Sequence, residues 1–298
     1  MTADQFVAAL KAEGLSVYEH PGWRTHNRNH KGSWGPMNGV VIHHTAGSNS
    51  LGVVYEGTPD LPGPLCHSHL AKSGKVTMVA NGRANHAGTF AQNAHAAVIA
   101  ESSKHPAPTR SEPVDGNAHY YGIEIENLGN GRDFYPQDQY DAAVKWAAAI
   151  CRHHGWTANS VIGHKEGTTR KIDPKGPVGS AKGEAWDMDD FRKDVAAQLK
   201  KAPGKGSTSP SKPPANKPGI PAFPGTSYFR TGAKNAFVTQ LGKQLVKKGF
   251  GRFYKQGPGP TWTAVDRAAV KAFQLAHAEL KGDADGYPGP LTWKMLFS

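Results

Sequence analysis

Two hydrophobic rhythms divide the first 200 residues between them. In YYGIEIEN (120–127), Tyr121, Ile123 and Ile125 alternate with Gly122, Glu124 and Glu126, predicting a strand with one apolar and one carboxylate face. Gly39-Val40-Val41-Ile42 runs without interruption into His43 and His44, and Thr45-Ala46-Gly47 then releases the chain. That pattern predicts a buried strand carrying an imidazole to the end of a sheet, and since side chains alternate, His43 and His44 face opposite ways. Ser160-Val161-Ile162-Gly163 followed by His164 repeats the device, and 66–70 with 75–80, split by Ser73-Gly74, predict a hairpin. The helical period appears in three places: Phe6, Val7 and Leu10 behind a Thr2 cap; Tyr140, Val144, Ala147, Ile150 and Cys151 within 138–154, stopped by Gly155; and Phe191, Val195 and Leu199 within 187–200, with Asp189 and Asp190 in the first turn. The polar stretch 23–34 and the Gly/Pro-rich stretch 47–64 predict loops. The whole reads as an α/β domain, a mixed central sheet flanked by helices.

Ala202–Gly225 breaks both rhythms. It holds seven prolines and no acidic residue, which predicts a semi-extended linker between a domain at 1–201 and a smaller one at 226–298. In the second domain Phe237, Val238, Leu241, Leu245 and Val246 form one helical stripe, and Val265, Ala269, Val270 and Phe273 another. PGPTW at 258–262 is echoed by PGPLTW at 288–293, each ahead of a helical turn. This predicts a small, mainly α-helical module without a catalytic constellation, and therefore a binding unit.

Charge sharpens that division. Residues 1–200 carry 20 Lys+Arg against 20 Asp+Glu, whereas 201–298 carry 15 against 4, so the formal +11 belongs to the second part. All histidines except His277 lie in the first part. A basic module implies an anionic partner; a nucleic-acid enzyme is disfavoured because the histidine-rich half is neutral. Two cysteines, Cys66 and Cys151, are too few for a disulfide framework. No run of 18 apolar residues predicts a membrane span, and the first residues read as a capped helix rather than a signal peptide.

His43 and His164 each end a predicted strand, and Asp173 follows nine residues after His164. Two imidazoles and a carboxylate suit Zn²⁺ with one position left for water, the pattern of a catalytic site. Hydrolysis then needs a base, for which Glu124 on the carboxylate face is placed, and a cation for the oxyanion, for which Lys171 is placed. The plain alternatives are a solvated strand face for Glu124 and Glu126, a surface lysine for Lys171, and a C-terminal cation pair for His153-His154. His67-Ser68-His69 puts two further rings on one strand face, leaving a second candidate metal site open.

VIHHTAG, NHAG (85–88), YYGIEIEN and GHKE…RKIDP, in that order, resemble the zinc-dependent N-acetylmuramoyl-L-alanine amidases (amidase-2), a family shared with the peptidoglycan recognition proteins. The resemblance covers residues 38–176. It implies the amidase-2/PGRP-like fold, with His43, His164 and Asp173 as zinc ligands, Glu124 and Lys171 as catalytic residues and His86 lining the substrate groove. Where many members carry a tyrosine beside the metal, this chain has Cys66, followed by His67. Residues 228–298 are similar to peptidoglycan-binding-1 modules; Asp283-Ala284-Asp285-Gly286 starts like a calcium loop but lacks its closing glutamate and is read as a turn. The resemblance implies a monomeric phage endolysin that cuts the amide between N-acetylmuramic acid and L-alanine, made in the host cytoplasm and acting on peptidoglycan after release. A recognition protein that binds without cutting, or an autolysin or recycling amidase, are the alternatives.

Overall fold

The computed structural model describes residues 1–202, 221, 223–224, 228–229, 232–284 and 286–298. They fall into two compact units, Met1–Ser207 and Thr208–Ser298. Most of the proline-rich stretch proposed as a linker lies outside the described residues, as does Asp285 of the acidic turn. No helix among the described residues is long and apolar enough to cross a membrane.

The first unit is built on a six-stranded mixed sheet. Its strands are β1 (Val17–Glu19), β2 (Gly39–His44), β3 (Ser68–Leu70), β4 (Val76–Met78), β5 (Tyr120–Ile125) and β6 (Val161–Gly163), in the spatial order β1-β4-β3-β5-β2-β6. Only the β3–β4 hairpin is antiparallel. The helices are α1 (Ala3–Ala12), α2 (Leu51–Glu56), α3 (Gln92–Ile99), α4 (Gln137–His154) and α5 (Met188–Lys200). On one face of the sheet Val40, Ile42, Tyr121, Ile123 and Ile125 pack with Phe6, Val7 and Leu10 of α1, the apolar side of α4, and Phe191 and Val195 of α5. On the other, Val41, Tyr120 and Ile162 pack with Ala94 and Val98 of α3.

Two faces buried by different partners make the register of β2 unforgiving. Val40, Val41 and Ile42 are fully buried, each worth about 1.5–3 kcal/mol relative to exposure. A slip of one residue would exchange Ile42 for His43 on the apolar face, so core packing determines where the imidazole points. The caps act at the helix ends. Thr2 and Gln5 form a capping box on α1, the Asp187 side chain accepts from the N–H groups of Asp189 and Asp190, and Gly155, at φ +72°, closes α4.

The structure departs from the sequence reading in local places. Within 47–64, expected as loop, α2 forms because Val54, with Leu51 and Tyr55, covers Leu65, Cys66 and Val79. Helix α3 buries only Ala94, His95 and Val98, which give little hydrophobic contrast. His154 is no cation at the end of α4: it stacks on Trp156 at 4.2 Å, and burial beside the N-terminal ammonium pushes it down to about 4. Both cysteines are buried free thiols.

The second unit gathers three longer helices, Ala236–Leu245, Ala264–Ala276 and Pro290–Phe297, around Phe229, Val238, Leu241, Leu245, Trp262, Val270, Phe273 and Trp293. The two tryptophans of the PGP echo are both buried in this core. Phe223, within the stretch read as linker, packs on Phe229 and Trp293.

Candidate metal centre

Parallel pairing sets the site out in rows. His43 on β2 lies opposite Glu124 on β5, and Glu124 in turn opposite His69 on β3, so all three start from one face of the sheet. Two residues back, Val41 pairs with Gly122 on that face. His164 comes from the turn that follows β6, and Asp173 from the loop beyond, tied by its carbonyl to the Lys165 N–H at 2.8 Å.

Three side-chain atoms converge: His43 Nδ1 and His164 Nδ1 are 2.9 Å apart, and Asp173 Oδ2 lies 3.3 and 3.0 Å from them. All three residues are buried, and among the described residues this is the one group of metal-ligating side chains that meets within 4.8 Å. Burial and the neighbouring His164 push His43 down to about 4, so it is a neutral donor at pH 7. Burial works against the charge of Asp173, but the two rings more than offset it and hold its carboxyl well below the ordinary range. A tetrahedral zinc with bonds of about 2.0–2.1 Å holds its ligands about 3.3 Å apart, and this donor set, at 2.9, 3.0 and 3.3 Å, comes within 0.4 Å of that spacing. The fit is also chemical: two imidazoles and a carboxylate are a zinc set.

Beside the trio, Glu124 Oε2 is sealed from solvent and has no hydrogen-bond partner, although the residue as a whole is partly exposed. Burial raises its carboxyl well above the ordinary value, Asp173 adds to the rise, and Lys171 opposes it. Lys171 is exposed, and its charge acts on both His43 and Glu124. Beneath the loop that carries it, Glu112 accepts from Thr168 Oγ1 (2.6 Å), the Thr169 N–H (2.9 Å) and Arg170 Nε (2.8 Å).

Three nearby histidines, His44, His67 and His69, make structural contacts instead. His44, on the opposite face of β2, places Nδ1 3.0 Å from the Tyr135 hydroxyl and accepts the Lys175 N–H. His67 accepts the Gly122 N–H at Nδ1 and donates from Nε2 to the Gly82 carbonyl; His69 meets Ser50 Oγ at 3.0 Å. Neither joins the trio, and Cys66, whose thiol is pushed up by burial, sits in the small cluster under α2. His86 is 7% exposed, with one ring nitrogen on His43 and the other on the Tyr120 carbonyl, because the space over Gly122 admits its ring. Sequence reasoning missed Glu112 and Asn117. Neither stands in a periodic or ligand-like pattern; the NHAG segment that Asn117 holds was the available signal.

Residues 33–176, just under half of the chain, match the family model Amidase_2, N-acetylmuramoyl-L-alanine amidase. Among solved structures the chain is similar to the N-acetylmuramoyl-L-alanine amidase LysC from Clostridium intestinale URNW, with 16% identity over 60% of this chain and 97% of that one and a TM-score of 0.39. It is similar also to the amidase AmiD from E. coli, solved with anhydro-N-acetylmuramic acid-L-Ala-D-gamma-Glu-L-Lys (15% identity, 89% of each chain, TM-score 0.38). A third is the Ph2119 endolysin from Thermus scotoductus MAT2119 bacteriophage Ph2119 (16% identity, 62% of this chain and 99% of that one, TM-score 0.35). No curated protein matches the chain in sequence.

Proposed function

We propose that the first unit is a zinc-dependent N-acetylmuramoyl-L-alanine amidase that cuts peptidoglycan between the lactyl carbonyl of N-acetylmuramic acid and the L-alanine of the stem peptide. One observation carries the reading: three acceptor atoms of buried residues, His43 Nδ1, His164 Nδ1 and Asp173 Oδ2, converge beside a sealed, unpartnered carboxyl oxygen, Glu124 Oε2. The family match spans every one of these residues, together with Lys171 and His86.

Zinc held by His43, His164 and Asp173 supplies Lewis acidity toward a carbonyl oxygen and lowers the pKa of water. The chain's own groups do the rest. Glu124, ionised, removes the proton from the attacking water and returns it to the departing L-alanine nitrogen; its burial makes it a stronger base than an exposed glutamate. Lys171 brings a positive charge to the rim, where the carbonyl oxygen gathers charge as the carbon becomes tetrahedral. The exposed Ile172 between Lys171 and Asp173 offers an apolar contact to the incoming substrate.

The second unit, with Ala202–Gly225 as its tether, acts as the wall-binding module. The 15 Lys+Arg against 4 Asp+Glu of residues 201–298 suit an anionic polymer, and tethering raises the local concentration of the catalytic unit on insoluble substrate. A hydrolase joined to such a module fits a phage endolysin acting as a monomer on the bacterial cell wall. The test is digestion of purified wall. New α-amino groups on L-alanine without new reducing sugar ends are expected, and reducing ends alone would refute the assignment.

A further inference from the structure

We infer that Asn85–Gly88, clamped by the Asn117 side chain, fixes the tautomer of both imidazole ligands, so that His86 and Asn117 are positioning residues for the metal centre. The inference rests on the amidase reading only in taking His43 and His164 as the ligands.

Hydrogen bonding assigns the protons one after another. His86 Nε2 lies 3.0 Å from the Tyr120 carbonyl, which can only accept, so Nε2 carries the proton and a neutral His86 presents a lone pair at Nδ1. Facing that lone pair at 3.0 Å is His43 Nε2, which must donate. The proton of His43 is thereby fixed on Nε2, and its Nδ1 lone pair is turned toward His164 and Asp173. His164 reaches the same state by a shorter route, since its Nε2 lies 3.3 Å from the Ala87 carbonyl and donates there. Three acceptor atoms are left facing one another without a proton among them, an arrangement that a cation stabilises and an empty site does not.

Both routes pass through consecutive residues, His86 and Ala87, and those residues are held from one point. Asn117 Oδ1 accepts from the N–H groups of His86 (2.8 Å), Ala87 (2.8 Å) and Gly88 (3.3 Å), which also fixes which end of the amide is oxygen. Gly122 supplies the room: a Cβ there would stand 2.3 Å from His86 Nδ1. The segment from Asn117 to Glu124 thus provides the clamp, the Tyr120 carbonyl, the gap at Gly122 and the carboxyl at Glu124.

The full-length, metal-free protein with ¹⁵N-labelled histidine tests this directly, because long-range ¹H–¹⁵N correlations read each ring's tautomer without metal or turnover. His43 and His164 are expected as single Nε2–H tautomers. His86→Ala should leave His43 in mixed tautomers and His164 unchanged, and should weaken zinc binding, read by competition with a chromogenic chelator, by about 10- to 100-fold. His86→Gln should restore both, since its amide can donate to Tyr120 and accept from His43. Asn117→Leu should disturb both rings, and Asn117→Asp, which keeps an acceptor, should disturb them less. A wild-type His43 protonated at Nδ1, or a His86→Ala protein with unchanged tautomer and zinc affinity, would overturn the inference. A wild-type protein that shows the expected tautomers but binds no zinc would overturn the metal-centre reading instead.

Discussion

Glu124 stands directly opposite His43 across the β2–β5 pair, on the same face of the sheet, with its Oε2 sealed from solvent and without a hydrogen-bond partner. An unpartnered carboxyl in that position is costly to the fold, and the cost makes sense if the group must exchange protons there. Glu124→Gln keeps the volume and removes the basicity. Turnover on cell wall should fall about 10²- to 10⁴-fold, with zinc content unchanged and thermal stability equal or higher. A variant that kept wild-type turnover would exclude Glu124 as the base.

His43 and His44 are adjacent in sequence and separated by the thickness of a sheet. His43→Ala removes one of three converging donors and should abolish stoichiometric zinc binding, measured by metal analysis after dialysis. His44→Ala should leave zinc in place. It deprives the Lys175 N–H and the Tyr135 hydroxyl of a shared partner, so its effect belongs to stability, a loss of about 1–3 kcal/mol in urea unfolding.

How much of this was legible beforehand depended on period and spacing. The runs ending in His43 and His164 and the alternation around Glu124 were readable because a sheet buried on both faces demands strong patterns, and those patterns carry the side chains that meet at the site. Helix α3 was not legible, since its buried side is only Ala94, His95 and Val98, and α2 forms only because tertiary burial rewards Val54. The contact of His86 with His43 was hidden for a different reason. A histidine set against another ring has no local signature, and its place depends on the missing side chain of Gly122, a long-range fact.

Glu112 anchors the loop that leads to Lys171 and Asp173. Burial would raise its carboxyl, but hydrogen bonds from Thr168, Thr169 and Arg170 prevail and hold it at about 2, against an ordinary 4.5. A carboxyl whose pKa is lowered by folding contributes stability that is complete above the ordinary value and lost as pH falls toward the lowered one. Wild type should therefore lose stability relative to Glu112→Gln between about pH 4.5 and 2, with melting temperatures compared across that window. A difference that stayed constant over the window would place the anchoring elsewhere.

His67 makes the opposite kind of group, a base kept neutral, and it acts at milder pH. Burial pushes it down to about 4, with the Gly82 carbonyl contact opposing only in part. Protonation would place a hydrogen on Nδ1, the atom that accepts the Gly122 N–H, and so break the contact next to His86. Because the unfolded chain takes up this proton near 6.5 and the folded one near 4, stability from His67 is complete above pH 6.5 and lost as pH falls toward 4. The lost contribution is on the order of 3 kcal/mol at the acid end. His67→Gln, whose amide can accept from Gly122 and donate to Gly82, should flatten that part of the urea-unfolding profile of the metal-free protein while leaving its stability near pH 7.5 within about 1 kcal/mol of wild type. An equally steep profile in the variant would assign the acid sensitivity to other buried histidines.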